Sequence, residues 1–259
     1  MTAVSRIRKA DVSRLADSAP AHLPCKLARI AAVFGVPLVD SALLMRIFAL
    51  LGLSLLLACA VPAAADLPTD PAHVRPLPVG SAVPQVELHD IEGQTRPLEQ
   101  VLDGKPALLV FYRGGWCPFC NLQLSELRKL EPELKALGVQ LLAISPDNPA
   151  HLRKLLDQTA LGYTLLSDAD ASAITAFGVA FEVDLATREK YRTYGIDLEV
   201  ASGHDHHALP VPSVFLIDAG GVVQFNYSHP DYRTRVPVRL VRAAVEAVVK
   251  GETGRPLKR

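Results

Sequence analysis

Phe111-Tyr112-Arg113-Gly114-Gly115-Trp116-Cys117-Pro118-Phe119-Cys120-Asn121 is the stretch on which the fold of this 259-residue chain turns. Ahead of it, Ala107 to Tyr112 is a continuous apolar run, which predicts a strand buried on both faces. Behind it, Leu122, Leu124, Leu127, Leu130 and Leu134 alternate with charges and predict a helix ending near Leu137-Gly138. A strand that ends in glycines and hands a C-x-x-C to the first turn of a helix puts two thiols at the positive end of the helix dipole. Thiolate is favoured over thiol there. Cys117 is expected to be the more exposed of the pair. The other reading of a C-x-x-C is half of a zinc site. That site needs a second Cys or His pair, and the chain from Asp66 onward has no other cysteine.

Further along the chain, Val139 to Ile144 predicts another buried strand, and Asn148-Pro149 caps a helix running to about Gln158. Tyr163 to Ser167 reads as a strand and Ala169 to Phe177 as a short helix. This alternation predicts a parallel sheet with helices on both faces. Upstream, Gln85 to His89 and Thr95 to Val101 flank a glycine turn and predict an N-terminal hairpin. Val214 to Ile217 and Val222 to Tyr227, joined by Asp218-Ala219-Gly220-Gly221, predict a second, antiparallel hairpin. Val238 to Lys250 closes the chain as a helix with Leu240, Val241, Ala244, Val245 and Val248 inward. Between Phe181 and Leu209 the periodicity is weak. A loop of that length is usually functional or mobile. It carries His204, His206 and His207, so a metal site is the alternative to solvated histidines.

The composition, 49% hydrophobic and 21% charged, is ordinary for a globular protein. Met45-Arg46, the apolar run Ile47 to Ala58 and Ala63-Ala64-Ala65 predict a signal peptide at 45–65, cleaved before Asp66. Leu56-Leu57-Ala58-Cys59 offers a second reading, a lipoprotein signal that anchors the chain at Cys59. Residues 1–44 are then an upstream segment ahead of the true start, residues 66–79 a proline-rich arm, and 80–259 the folded domain. Export leaves Cys117 and Cys120 as the domain's cysteines. In an oxidising compartment such as the periplasm, a lone C-x-x-C is cycled by partners rather than kept as a staple. Setting aside the seven basic and three acidic residues of 1–65 leaves 20 basic against 24 acidic, a formal charge of −4. Nothing in that balance suggests nucleic-acid binding.

The string from Phe111 to Leu124, with the later Val211-Pro212-Ser213-Val214-Phe215-Leu216-Ile217-Asp218, resembles the peroxiredoxin-like branch of the AhpC/TSA family, within the thioredoxin fold. The resemblance covers about Gly80 to Val249. It implies a thioredoxin-like α/β fold, a central mixed sheet with helices on both faces, and no cofactor. It further implies that Trp116 packs beside the site, Cys117 attacks, Cys120 resolves, and Pro212 lies cis against the sulfurs. Pro118 would stand between the thiols and Arg113 would favour thiolate. The family's peroxidases carry P-x-x-x-[TS]-x-x-C. On that pattern Cys120 is the peroxide-reactive cysteine, while Arg113 replaces the proline, Cys117 replaces the threonine, and Pro212 stands where an arginine is expected. Thioredoxin's buried acid falls on Phe111, so proton transfer needs another group.

These readings predict an exported thiol–disulfide oxidoreductase with an antioxidant role. Its substrates are protein or small-molecule thiols and disulfides, with hydroperoxides as a further class, and it needs an electron-donating partner. Two alternatives stand beside it: a thiol peroxidase acting through Cys120, and a metal-delivery protein using the dithiol with a loop histidine such as His206.

Overall fold

The computed structural model describes residues 66–158, 163–252 and 254. The expected signal peptide, Cys59 of the lipoprotein alternative and the upstream segment lie outside them. Among the described residues no helix is long and apolar enough to cross a membrane.

Seven strands form the central sheet: β1 (Glu87–His89), β2 (Thr95–Pro97), β3 (Ala107–Phe111), β4 (Gln140–Ser145), β5 (Thr164–Ser167), β8 (Ser213–Ile217) and β9 (Val223–Ser228). Their order is β2-β1-β5-β4-β3-β8-β9. The middle trio β5-β4-β3 is parallel, as the alternating strand and helix pattern predicts. Antiparallel partners flank it, β1 beside β5 and β8 beside β3, and each belongs to one of the two expected hairpins. The sheet is therefore mixed. In the first hairpin Asp90 accepts from the Glu92 and Gln94 amides and from Arg96, which fixes the turn. The returning strand is short, because after Pro97 the chain coils into α1 (Leu98–Leu102).

All five residues of β3 are buried, and their alternation sends them to two cores. Leu108 and Val110, followed by Tyr112, join Leu124, Leu127, Leu130, Leu134, Val241 and Val245 on one face. Those residues come from α2 (Pro118–Arg128), α3 (Glu131–Ala136), the turn between them, and α8 (Val238–Val249). Leu109 and Phe111 join Leu98, Ile174, Phe177 and Phe215 on the other face. There Phe111, Phe177 and Phe215 form a ring cluster with centroids 4.8 to 5.8 Å apart. Each fully buried side chain of this size contributes about 1.5–3 kcal/mol.

Three expectations change. The leucine-patterned helix after Cys117 is two helices, because Pro132 has no amide to give to Arg128 and the chain tightens through Lys129 N to Glu126 O and Leu130 N to Leu127 O. Leu122 is exposed, and so is Leu240 on α8. The weakly periodic stretch is also built: β6 (Ala180–Glu182) pairs with β7 (Ala208–Pro210) around α6 (Leu185–Thr193) and α7 (Leu198–Ser202). The remaining helices are α4 (Pro149–Gln158), where Asn148 Oδ1 accepts from the His151 amide, and α5 (Ser172–Ala176).

The proline-rich arm has a short 3₁₀ turn at Pro71–His73 and is docked. The amides of Arg75 and Leu77 donate to the carbonyls of Gly178 and Phe177, and Glu182 N donates to Pro68 O. Gly178 sits at φ +68°, and a Cβ there would run into the Arg75 carbonyl.

Candidate active site

Cys117 is the N-cap of α2 in extended backbone (φ −91°, ψ 110°), and Pro118 fills the first helical position, where no amide is needed. The Cys120 and Asn121 amides both donate to the Cys117 carbonyl, at 3.0 and 3.1 Å, so the two sulfurs ride on one turn. Both thiols are free. Both are also buried, Cys117 to 1% and Cys120 to 0% residual exposure, so the expected difference in exposure is absent. The reason is packing: the dithiol lies inside the core cluster of Tyr112, Leu124 and Val214, with Trp116 laid against it. What separates the sulfurs is charge. A hydrogen bond from the Cys120 thiol, then the Arg113 guanidinium and the Cys120 amide, bring the Cys117 thiol down to about 6 despite burial. Burial pushes the Cys120 thiol up, and its role as donor to Cys117 pushes it further.

Arg113 leaves the end of β3 with 4% exposure. Its guanidinium carbon lies 4.2 Å from the Tyr232 ring centre, 5.1 Å from Trp116 and 5.4 Å from Tyr191. It donates through Nη2 to the Tyr191 hydroxyl, while Nε has no partner. Trp116 and Tyr191 pack at 5.8 Å, and Tyr232 meets the exposed Phe119 edge-on at 5.7 Å. Trp116 thus packs against Arg113 and Tyr191. The Gly114 backbone lets it do so: a Cβ at φ +149° would collide with the Trp116 indole nitrogen and come within 2.9 Å of Asp147 Oδ1.

Two residues that the sequence pattern did not single out complete the site. Arg235, in the loop ahead of α8, donates through Nη2 to Cys120 Sγ at 3.3 Å and through Nη1 to Gln123 Oε1 at 2.7 Å. Asp147, just beyond β4, is buried at 3% exposure and accepts from the Gly115 amide at 2.7 Å and from Ser145 Oγ at 3.3 Å. Burial raises its carboxyl to about 6, the Gly115 and Ser145 bonds oppose the rise, and the Cys117 charge adds to it. Phe111 carries no acid, and Asp147 is a buried carboxyl whose charge couples to Cys117.

Pro212 does not take the expected role. No peptide bond among the described residues is cis. The Val211 amide donates to Val179 O and the Val211 carbonyl accepts from Ser213 Oγ, which pin the turn into β8. The Pro212 ring faces a cavity shared with Arg113, Tyr191 and Tyr232. His206, the loop histidine of the metal-delivery alternative, is also occupied. His206 Nε2 lies 2.8 Å from Ala169 O, and Nδ1 accepts from the Ala208 amide. No cluster of three metal-ligating side chains exists among the described residues.

A mixed sheet covered by helices on both faces, with a C-x-x-C at the head of a helix, defines a thiol oxidoreductase of the thioredoxin-like class. The chain belongs to the AhpC/TSA family, whose model matches residues 79–226, more than half of its length. Peroxiredoxin Bcp of Escherichia coli (strain K12) is 36% identical over 106 residues, 41% of this chain and 67% of that protein. The thiol-disulfide oxidoreductase ResA of Halalkalibacterium halodurans is 30% identical over 93 residues, 36% of this chain and 52% of the relative. The crystal structure of peroxidoxin BcpB from Mycobacterium tuberculosis superposes with a TM-score of 0.51, covering 68% of this chain and 98% of its own. At 22% identity that likeness carries the fold alone.

Proposed function

We propose that this protein is an exported thiol–disulfide oxidoreductase with an antioxidant role, in which Cys117 attacks and Cys120 resolves. What supports this reading is the unequal setting of two equally buried sulfurs: Cys117 caps the start of α2, where the Cys120 thiol and the Arg113 charge bring it down to about 6, while burial pushes Cys120 up. The Cys117 thiolate attacks one sulfur of a substrate disulfide, forming a mixed disulfide and expelling the other half as thiolate, which takes up a proton. Cys120 then loses its proton, with Asp147 as the acceptor, and attacks Cys117 Sγ. The second half of the substrate leaves as thiol, and the protein keeps the Cys117–Cys120 disulfide. In this reading Arg235 steadies the Cys120 sulfur while it is anionic.

Export rests on the pattern of Met45 to Ala65, with the periplasm as the compartment. Secreted material should begin at Asp66, and a lipidated N-terminus at Cys59 selects the anchored form. A second reading has one observation in its favour. Arg235 on Cys120 gives the position that the family's peroxidase pattern assigns to the reactive cysteine a guanidinium of its own. The two readings part on single-cysteine variants incubated with a disulfide substrate and, separately, with peroxide. We expect Cys120→Ser to accumulate a mixed disulfide at Cys117 and Cys117→Ser to be inert. Sulfenic acid at Cys120 and rapid peroxide consumption by Cys117→Ser would select the peroxidase instead.

A further inference from the structure

Arg113 makes no ion pair among the described residues, although its side chain is almost wholly buried. A buried cation needs an anion, because ring faces and one phenol replace only part of its hydration. In the reduced protein the anion that the Arg113 charge favours is the Cys117 thiolate. A disulfide removes that anion, and the other polar partner of Arg113 in the structure is the Tyr191 hydroxyl, with Nε unpartnered. A cavity of about 180 Å³ opens beside this guanidinium, walled by Pro71, Phe181, Val183, Pro212 and the Tyr191 and Tyr232 rings. One acidic residue, Asp184, also lines it, but that carboxylate is committed to the start of α6, where it accepts from Thr187 N and Thr187 Oγ1.

We propose that this cavity takes the carboxylate of a small thiol on Arg113, and that such a thiol is the reductant of the Cys117–Cys120 disulfide. The inference rests on the oxidoreductase reading and supplies its electron donor by chemical class. The bound thiol, as thiolate, attacks Cys117 Sγ. The bond between Cys117 and Cys120 breaks, and the Cys120 sulfur leaves as a thiolate beside Arg235 and is protonated. A second small thiol attacks the mixed disulfide at its own sulfur, which releases the small-molecule disulfide and frees Cys117 as thiolate. Two small thiols lose two electrons and the protein disulfide gains them. One of the two thiol protons ends on Cys120 and the other goes to solvent. Arg113 exchanges its anions across the cycle, the carboxylate in the oxidised protein and the Cys117 thiolate in the reduced one.

The test uses the oxidised full chain and two probes, 3-mercaptopropionate and the neutral 2-mercaptoethanol, with rates compared per unit of thiolate. Trp116 is the sole tryptophan and lies against Arg113, so its fluorescence reports both reduction and binding. We expect 3-mercaptopropionate to react at least about tenfold faster, the scale of one charge-assisted contact. In Arg113→Gln the advantage should fall to within about twofold on the same scale. Propionate alone should bind the oxidised wild type more tightly than the reduced form. Thr69→Phe, which narrows the cavity from its exposed rim and leaves the Asp184–Thr187 bonds in place, should reduce the advantage and weaken propionate. Equal rates for the two thiols in the wild type, or a preference that survives Arg113→Gln, would overturn the proposal. If a protein dithiol reduces the disulfide and neither small thiol does, the carboxylate site falls and the oxidoreductase reading stands. If no oxidant joins Cys117 to Cys120, that reading falls first and takes the site with it.

Discussion

Arg113 and Arg235 approach the dithiol from distant parts of the chain, one at the end of β3 and one 115 residues beyond Cys120. Each guanidinium favours thiolate on its sulfur, but the thiol of Cys120 gives its hydrogen bond to Cys117, so the two cysteines part company. Asp147 is the third charge in this buried space. Its carboxyl is raised from 3.8 to about 6 in the folded chain, so folding favours the protonated acid. The stability this contributes is present below pH 4 and is lost as pH climbs from about 4 to about 6, the reverse of a salt-bridged aspartate. Asp147→Asn removes the loss. Measured on the oxidised protein, where no thiolate titrates, the variant should gain up to about 3 kcal/mol on wild type between pH 4 and pH 7. Denaturant melts that run parallel across that range would contradict the assignment. Of this group the sequence showed Arg113, because it sits four residues from Cys117 in the motif itself. Asp147 lies between a predicted strand and a predicted helix with no motif of its own, and Arg235 lies past the end of the family match, in a loop without periodicity. Contacts made across the fold leave no local spacing to read.

At the scale of single elements the turn of α2 carries the chemistry, and its start was legible for a physical reason. A proline after Cys117 and glycines before Trp116 admit few other backbones. The break between α2 and α3 was equally open to inspection, since Pro132 denies the helix an amide in mid-course. The arm was harder. Five prolines between Leu67 and Pro84 predict an extended segment, and the segment is extended, yet its amides and carbonyls are bonded to the turn at Gly178 and to β6. Gly178→Ala is expected to lose well over about 1 kcal/mol, since the residue combines positive φ with a collision against Arg75. Limited proteolysis should then cut the arm near Arg75 in the variant and spare it in the wild type. An unchanged melting temperature with an intact arm would show that the arm is not anchored there. The excursion from β6 to β7 escaped the sequence reading because its strands are three residues long and its helices, nine and five residues, bury little apolar surface.

Across the whole molecule, the parallel centre and its helices on both faces follow from two apolar runs and the alternation around them. The strand order needed the structure, because pairing β3 with β8 joins segments about a hundred residues apart. That pairing is what closes the site. It brings the turn at Pro212 and the β6–β7 excursion over Arg113, while the loop between β9 and α8 delivers Tyr232 and Arg235. Sealing the site leaves both thiols in low dielectric, where neighbouring charge rather than exposure decides which sulfur reacts. Cys117 is therefore the nucleophile of the proposed pair. Alkylating the reduced full chain with iodoacetamide from pH 5 to pH 9, and locating the label by peptide mass spectrometry, tests this directly. Modification is expected at Cys117 with a midpoint at about 6 and none at Cys120 across the range. Labelling of Cys120 first, or a Cys117 midpoint at the ordinary thiol value of about 8.5, would contradict it.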